Sequence, residues 1–199
     1  MEPTVFLHGF LGSPKDWEPL LSILDIDAIC PSLPGHNGTP FTPHFDIDLP
    51  RFHLVAYSMG GRMALSLPKE KILSLTLLSV HPGLKTGHGE RWESDLAWAK
   101  LLLELPIDEF LHRWYDQPLF KPFKPDFSMR RNHDPKELAK TLLHYSLAKQ
   151  KYTPLSGVLV GERDTKFRAL HPDGIVIPNA GHAIHLENPK AVADAIHRH

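Results

Sequence analysis

The chain has 199 residues, 42% of them hydrophobic and 23% charged, with a formal net charge of −1. This composition describes one ordinary globular domain able to bury a real core, and it excludes a second full domain. Neither sign of charge runs in long blocks, so the sequence carries no footprint for nucleic acid or anionic lipid, and any acidic ligand must be met by local cations.

From the N-terminus, TVFL (4–7) is a β-rich run. A helix is predicted over 14–24, with Ser13 as N-cap, Pro14 at the first position, and Trp17, Leu20, Leu21 and Leu24 on one face. DAIC (27–30) is a second strand, ending in Cys30, the single cysteine. One cysteine excludes an internal disulfide and a four-cysteine zinc site, fits a reducing compartment, and reads as a small core residue rather than a catalyst. The proline-rich stretch 31–50 has little helical period and is expected to be a long irregular connection. HLVAY (53–57) is a third strand, followed by a helix over 59–67 and a fourth strand, LTLLSV (75–80). Near-continuous apolar runs of this kind imply burial on both faces, as in a parallel sheet.

From 87 to 151 the pattern changes. Helical periodicity covers 90–105, 107–115 and 135–148, with no convincing strand among them. This segment begins just past a strand end, where open α/β sheets bind ligands, and is read as a helical lid with the prolines of 118–125 as a connector inside it. Two further strands, GVLV (157–160) and GIVIP (174–178), and a helix over 189–196 complete the chain. The expectation is a single α/β domain over 1–199, with a mostly parallel sheet of about six strands. No leader pattern opens the chain and no apolar run approaches the roughly 18 residues of a membrane span, so a cytoplasmic enzyme is expected.

Ala56-Tyr57-Ser58-Met59-Gly60-Gly61 follows a strand and precedes a helix, the setting of a nucleophile elbow. Ala56 stands where the usual motif has glycine. The phrase also fits a plain glycine-rich turn, but its strand–turn–helix context favours the catalytic reading of Ser58. His8-Gly9-Phe10 closes the first strand, where the Phe10 amide could join that of Met59 in an oxyanion hole; a strand-ending turn fits these residues equally well. Asp164 and His182 each lie just past a strand end, so they can converge on Ser58 over the sheet in the chain order serine, acid, base. One carboxylate to orient an imidazole and one imidazole to take a proton make a complete set. His182 stands out among 14 histidines by position alone, whereas His185 is read as structural. Arg62, four residues after Ser58, lies one helical turn below it and could hold a substrate carboxylate or pair with an acidic neighbour. Arg91 and Arg130, by themselves, read as ordinary solvated helix charge.

Several phrases together resemble one family. LHGFLGS (7–13), LPGHNGTP (33–40), YSMGGRMAL (57–65), HPGL (81–84), ERWESD (90–95), WYDQPLF (114–120), GERDTKFRAL (161–170) and IPNAGHAIHLENP (177–189) are similar to the α/β-hydrolase-fold 2-succinyl-6-hydroxy-2,4-cyclohexadiene-1-carboxylate synthases of menaquinone biosynthesis. Many hydrolases share LHGF, LPGH and the AGH phrase, while HPGL, WYDQPLF and GERDTKFRAL are much narrower. The resemblance implies a lyase that eliminates pyruvate from an anionic succinyl-bearing cyclohexene, with no metal and no organic cofactor. Ser58, His182 and Asp164 would act as a general base, and the Phe10 and Met59 amides would hold the enolate oxygen. It also implies that Arg62, Arg91 and, in a poorly matched stretch, Arg130 hold carboxylates, for which guanidinium forks are suited, and that Tyr57 and Trp114 line the pocket.

The chain departs from the family in length. It starts almost at its first strand, without the usual preceding β-hairpin. It has too little sequence between 38 and 52 for a helix, and its 164–182 segment leaves room for about one helical turn. One sheet face is therefore expected to be poorly covered, consistent with a minimal natural version, a partner subunit such as a homo-oligomer mate, or low stability. The same triad would also serve an ester or thioester hydrolase, or a non-catalytic member of the fold that only binds.

Overall fold

The computed structural model describes residues 2–121 and 123–197. Six strands form one sheet: β1 (Thr4–Leu7), β2 (Ala28–Ile29), β3 (Phe52–Tyr57), β4 (Ile72–Leu78), β5 (Leu159–Gly161) and β6 (Ile175–Ile177). Their order is β2-β1-β3-β4-β5-β6, and every pairing is parallel. All strand C-termini therefore lie along one edge. Because β2 and β3 leave β1 in opposite directions, the ends of β1 and β3 open the crevice where such sheets receive ligands.

Alternation along the strands sorts the core into two layers. Val5, Leu7, Leu54, Ala56, Leu77, Val158 and Val160 point to one face, and Phe6, Val55, Tyr57, Leu78, Leu159 and Ile177 to the other. The second face is covered by α1 (Glu18–Leu21), α7 (Ile184–Glu187) and α8 (Pro189–Ile196), through Trp17, Leu20, Ile184 and Val192. The first is covered by α2 (Ser58–Ala64) and by α3 (His88–Glu104), α4 (Ile107–Tyr115) and α5 (Pro135–His144). A short α6 (Thr165–Leu170) lies between β5 and β6.

The boundaries move for identifiable reasons. The helix expected over 14–24 is a 3₁₀ turn, Pro14–Trp17, leading into the single-turn α1. Pro19 has no N–H to continue the ladder from Lys15, which forces that break. Strand β4 starts at Ile72, earlier than expected, because Ser74 and Thr76 alternate with Leu75 and Leu77; it ends at Leu78, where Ser79 turns the chain with φ 48°. Strand β2 shrinks to two paired residues, and α2 ends at Ala64 rather than at 67. Helix α5 stops at His144, and a separate 3₁₀ turn, Leu147–Lys149, is capped by Ser146 Oγ, which accepts from Ala148 N at 3.0 Å. In the 118–125 connector, Pro118–Phe120 forms a 3₁₀ turn, while Pro122 lies outside the described residues. The 31–50 stretch has no helix or strand, as expected.

The inserted helices leave after β4 and return before β5, and the two crossings touch. Thr153 N donates to Pro82 O at 2.7 Å, and Gln150 Nε2 donates to His81 O at 3.3 Å. Among the described residues no helix is long and apolar enough to cross a membrane.

Candidate active site

Ser58 sits at the turn from β3 into α2 with φ 49°, a left-handed conformation that costs a non-glycine residue about 1–3 kcal/mol and persists only where its surroundings enforce it. Close packing does the enforcing. A Cβ on Gly60 would collide with the carbonyl oxygens of Leu7 and His8, and one on Gly9 would lie 2.8 Å from the Tyr57 ring. The turn ending β1 and the start of α2 can thus approach each other only without side chains at these two positions.

Ser58 Oγ donates to His182 Nε2 at 3.3 Å, and His182 Nδ1 donates to Asp164 Oδ2 at 2.8 Å. Both Asp164 and His182 are buried. The other Asp164 oxygen accepts from Phe167 N at 3.0 Å, so the carboxylate caps α6 while it orients the imidazole. Glu187 holds the loop carrying His182 by accepting from the amides on either side of it, Gly181 N at 2.9 Å and Ala183 N at 3.1 Å. Sequence reading passed over Glu187, although its place five residues after His182 in the AGHAIHLENP phrase was visible.

These side chains open onto a cavity of about 510 Å³. Phe10 and Met59 line it, and among the described residues no hydrogen bond occupies the Phe10 amide, while the Met59 amide belongs to the unpaired first turn of α2. Tyr57 and Trp114 also line it, with Trp114 packed 5.0 Å from both Phe10 and Trp98 to make an aromatic wall.

Another part of the lining is cationic. Arg62 and Arg91 reach it from α2 and α3. Arg62 Nη1 donates to Tyr145 O, and burial followed by the neighbouring Arg91 charge lowers its pKa to about 10, still cationic at neutral pH. Arg91 Nε donates to Asp95 Oδ1 at 2.9 Å, and Asp95 receives a second bond from Ser146 Oγ at 2.6 Å. Lys166 joins them on α6, its pKa lowered by desolvation and then by Arg91. A lysine in the first turn of a helix opposes the helix dipole, and that mismatch was the available sequence signal for a residue that went unremarked.

Arg130 is a correction. Instead of joining Arg62 and Arg91 it is 3% exposed and donates from Nη1 to Asp16 Oδ1 at 2.7 Å, absent from the cavity lining. Asp16 also accepts from Ser13 N, so Arg130 fastens the inserted helices to the chain following the β1 turn. The acid it pairs with is 114 residues away, which no local pattern reveals. His185 is structural in placement, its ring packed at a tilt between Trp17 at 4.5 Å and Tyr57 at 4.4 Å. Among the described residues no group of three His, Cys, Asp or Glu side chains is arranged to hold a metal ion.

Comparison with known proteins adds three findings. Residues 4–195 match the alpha/beta hydrolase family. The 2-succinyl-6-hydroxy-2,4-cyclohexadiene-1-carboxylate synthases of Salmonella newport and Salmonella paratyphi A are each 35% identical over 234 aligned positions, covering 96% of this chain and 91% of the relative. An alignment longer than the chain itself passes over gaps in it, in keeping with shortened connections. Among solved structures, MenH from S. aureus superposes with a TM-score of 0.81 at 26% identity, covering 99% of this chain and 92% of that one. A thermophilic esterase from Thermogutta terrifontis superposes with a TM-score of 0.73 at 21% identity, covering 100% and 89%, a likeness of fold alone.

Proposed function

The chain belongs to the alpha/beta hydrolase family and, within it, to the 2-succinyl-6-hydroxy-2,4-cyclohexadiene-1-carboxylate synthases, lyases of menaquinone biosynthesis, and from that membership we propose how its residues divide the work. Ser58 Oγ takes the substrate proton acidified by the succinyl carbonyl while its own proton passes to His182 Nε2, and the imidazolium is stabilised beside Asp164. The Phe10 and Met59 amides hold the enolate oxygen as charge develops there. The electron pair then expels the enolpyruvyl oxygen, the carbon–oxygen bond breaks, and the leaving enolate takes up the proton held by His182, which resets the triad, and tautomerises to pyruvate without an acyl-enzyme. Arg62 and Arg91 orient the anionic substrate by its carboxylates. Helices α3 to α5 serve as a lid that supplies one of these arginines and the aromatic wall. The enzyme acts in the cytoplasm, which the free Cys30 suits.

The observation that carries this reading is the opening of the Ser58–His182–Asp164 chain into the same cavity as two crowded guanidinium groups. A coupled assay supplied with the upstream enolpyruvyl intermediate tests it by following pyruvate release. Ser58→Ala should lower turnover by about 10²- to 10⁴-fold without loss of fold. Absence of pyruvate release by the wild type, or accumulation of a covalent adduct with a thioester during turnover, would replace the lyase with a hydrolase.

A further inference from the structure

His81 lies three residues beyond the end of β4 and lines the cavity near the charges of Lys166, Arg62 and Arg91. Its ring is fixed from outside the cavity. Gly83 N donates to His81 Nδ1 at 3.1 Å, and Gly83 can be placed there because it holds φ 102° against the returning chain, where a Cβ would lie 2.7 Å from Lys151 O. The ring meets the edge of Phe167 at 6.0 Å, and Phe167 in turn lies 4.6 Å from the His182 ring. A nitrogen that accepts from a backbone amide carries no proton, so the proton of the neutral imidazole sits on Nε2. Among the described residues Nε2 has no hydrogen-bond partner, and it is not among the buried unpaired atoms.

We propose that His81 is a specificity-determining residue, an uncharged Nε2–H donor that takes one carboxylate of the substrate in the corner formed by Arg62, Arg91 and Lys166. The assignment rests on the lyase reading and deepens it by naming a further contact in the same cavity. Charge explains why an imidazole suits this place. Burial first, then Lys166, Arg62, Arg91 and His171, hold His81 down to about 4, so at working pH it reads an oxygen without adding another cation to a wall already crowded with them. A lysine or arginine here would repel its neighbours when the site is empty, and an apolar residue would leave the carboxylate oxygen unpaired in a partly desolvated corner.

The test begins with the wild-type protein and two variants. His81→Phe keeps the ring packing and removes the donor, and should raise KM for the substrate by about 10- to 100-fold with kcat little changed. His81→Gln places a neutral N–H near the position of Nε2 and should recover most of that loss. In the wild type, long-range proton–nitrogen correlation should show a protonated Nε2 and a bare Nδ1, and adding a benzene dicarboxylate should shift the Nε2 signal. Unchanged KM in His81→Phe, failure of the Gln variant to recover it, a proton on Nδ1, or no shift with the dicarboxylate would each overturn the proposal. The spectroscopic arm needs no turnover, so a wild type that releases no pyruvate would refute the lyase reading while leaving the donor role of His81 separately decided.

Discussion

Two collections of cations and imidazoles flank the Phe10 ring, which lies 5.7 Å from His36 on one side and 5.0 Å from Trp114 on the other. Behind it, Arg130 is matched by Asp16, and His8, His36 and His133 span loop backbones. His8 Nε2 accepts from Leu33 N at 3.1 Å, His36 Nε2 from Leu11 N at 3.2 Å, and His133 Nδ1 from Asn37 N at 3.0 Å. In front of it, the Arg91 charge lowers both Arg62 and Lys166, and the carboxylates that answer these three cations are Asp95 and Asp164, the latter already engaged by His182. Buried charge with its counter-ion supplied is architecture. Charge gathered around a cavity with too few counter-ions is suited to an anionic ligand, and this difference in satisfaction sorts arginines that look alike in sequence.

The widest effect should come from acid. Burial lowers His8 and His185 to about 3, and His36 well below its ordinary value, so the unfolded chain binds protons that the folded one refuses. Stability should be complete above about 6.5 and fall as the pH drops toward 3, by up to about 1.4 kcal/mol per histidine per pH unit. Thermal melts between pH 7.5 and 4.5 should trace this decline, and His185→Phe should flatten it; identical profiles for both proteins would remove His185 from the account. Next comes Asp16→Ala, which strands Arg130 in the interior and should cost about 3–5 kcal/mol in chemical denaturation. A loss below 1 kcal/mol would mean that Arg130 finds water, and the contrast between the two regions would weaken.

Arg62→Ala should act on the other side of the contrast, lowering kcat/KM for the anionic substrate about 10- to 100-fold, while any slow cleavage of a neutral ester stays near wild type. Equal losses on both substrates would move Arg62 into the structural group. The smallest change is expected for Lys166→Met. Removing a partly exposed cation that opposes both a helix dipole and Arg91 should leave the melting temperature unchanged or slightly higher, with KM raised by severalfold, about 1 kcal/mol. A clear drop in melting temperature would show that Lys166 has a stabilising partner in solution.

The strand and triad framework was legible because its signals are local. Ser58, Asp164 and His182 each follow an apolar run that reads as a strand, and parallel strands bring their ends to one edge whatever lies between them. Residues whose role depends on distant partners were not legible in that way. Arg130 looked like solvated charge because its carboxylate lies across the fold, and His81 gives no sign of its tautomer until Gly83 is placed beside it. The irregular N-terminal helix was hidden for a local reason, since Pro19 interrupts a run whose apolar spacing is otherwise helical. The expected shortage of covering helices is matched in part by partly exposed apolar residues, Leu75 on β4 and Val176 on β6.

The hydrogen bond between Thr153 and Pro82 means that some seventy intervening residues begin and finish at a single spot on the scaffold. Such a segment behaves as a cassette: its replacement by another of different length need not relocate β4, β5 or the Ser58–His182 pair. Ancestors of this chain could therefore have changed what they recognise by exchanging that one module, leaving the proton-transfer apparatus in service throughout.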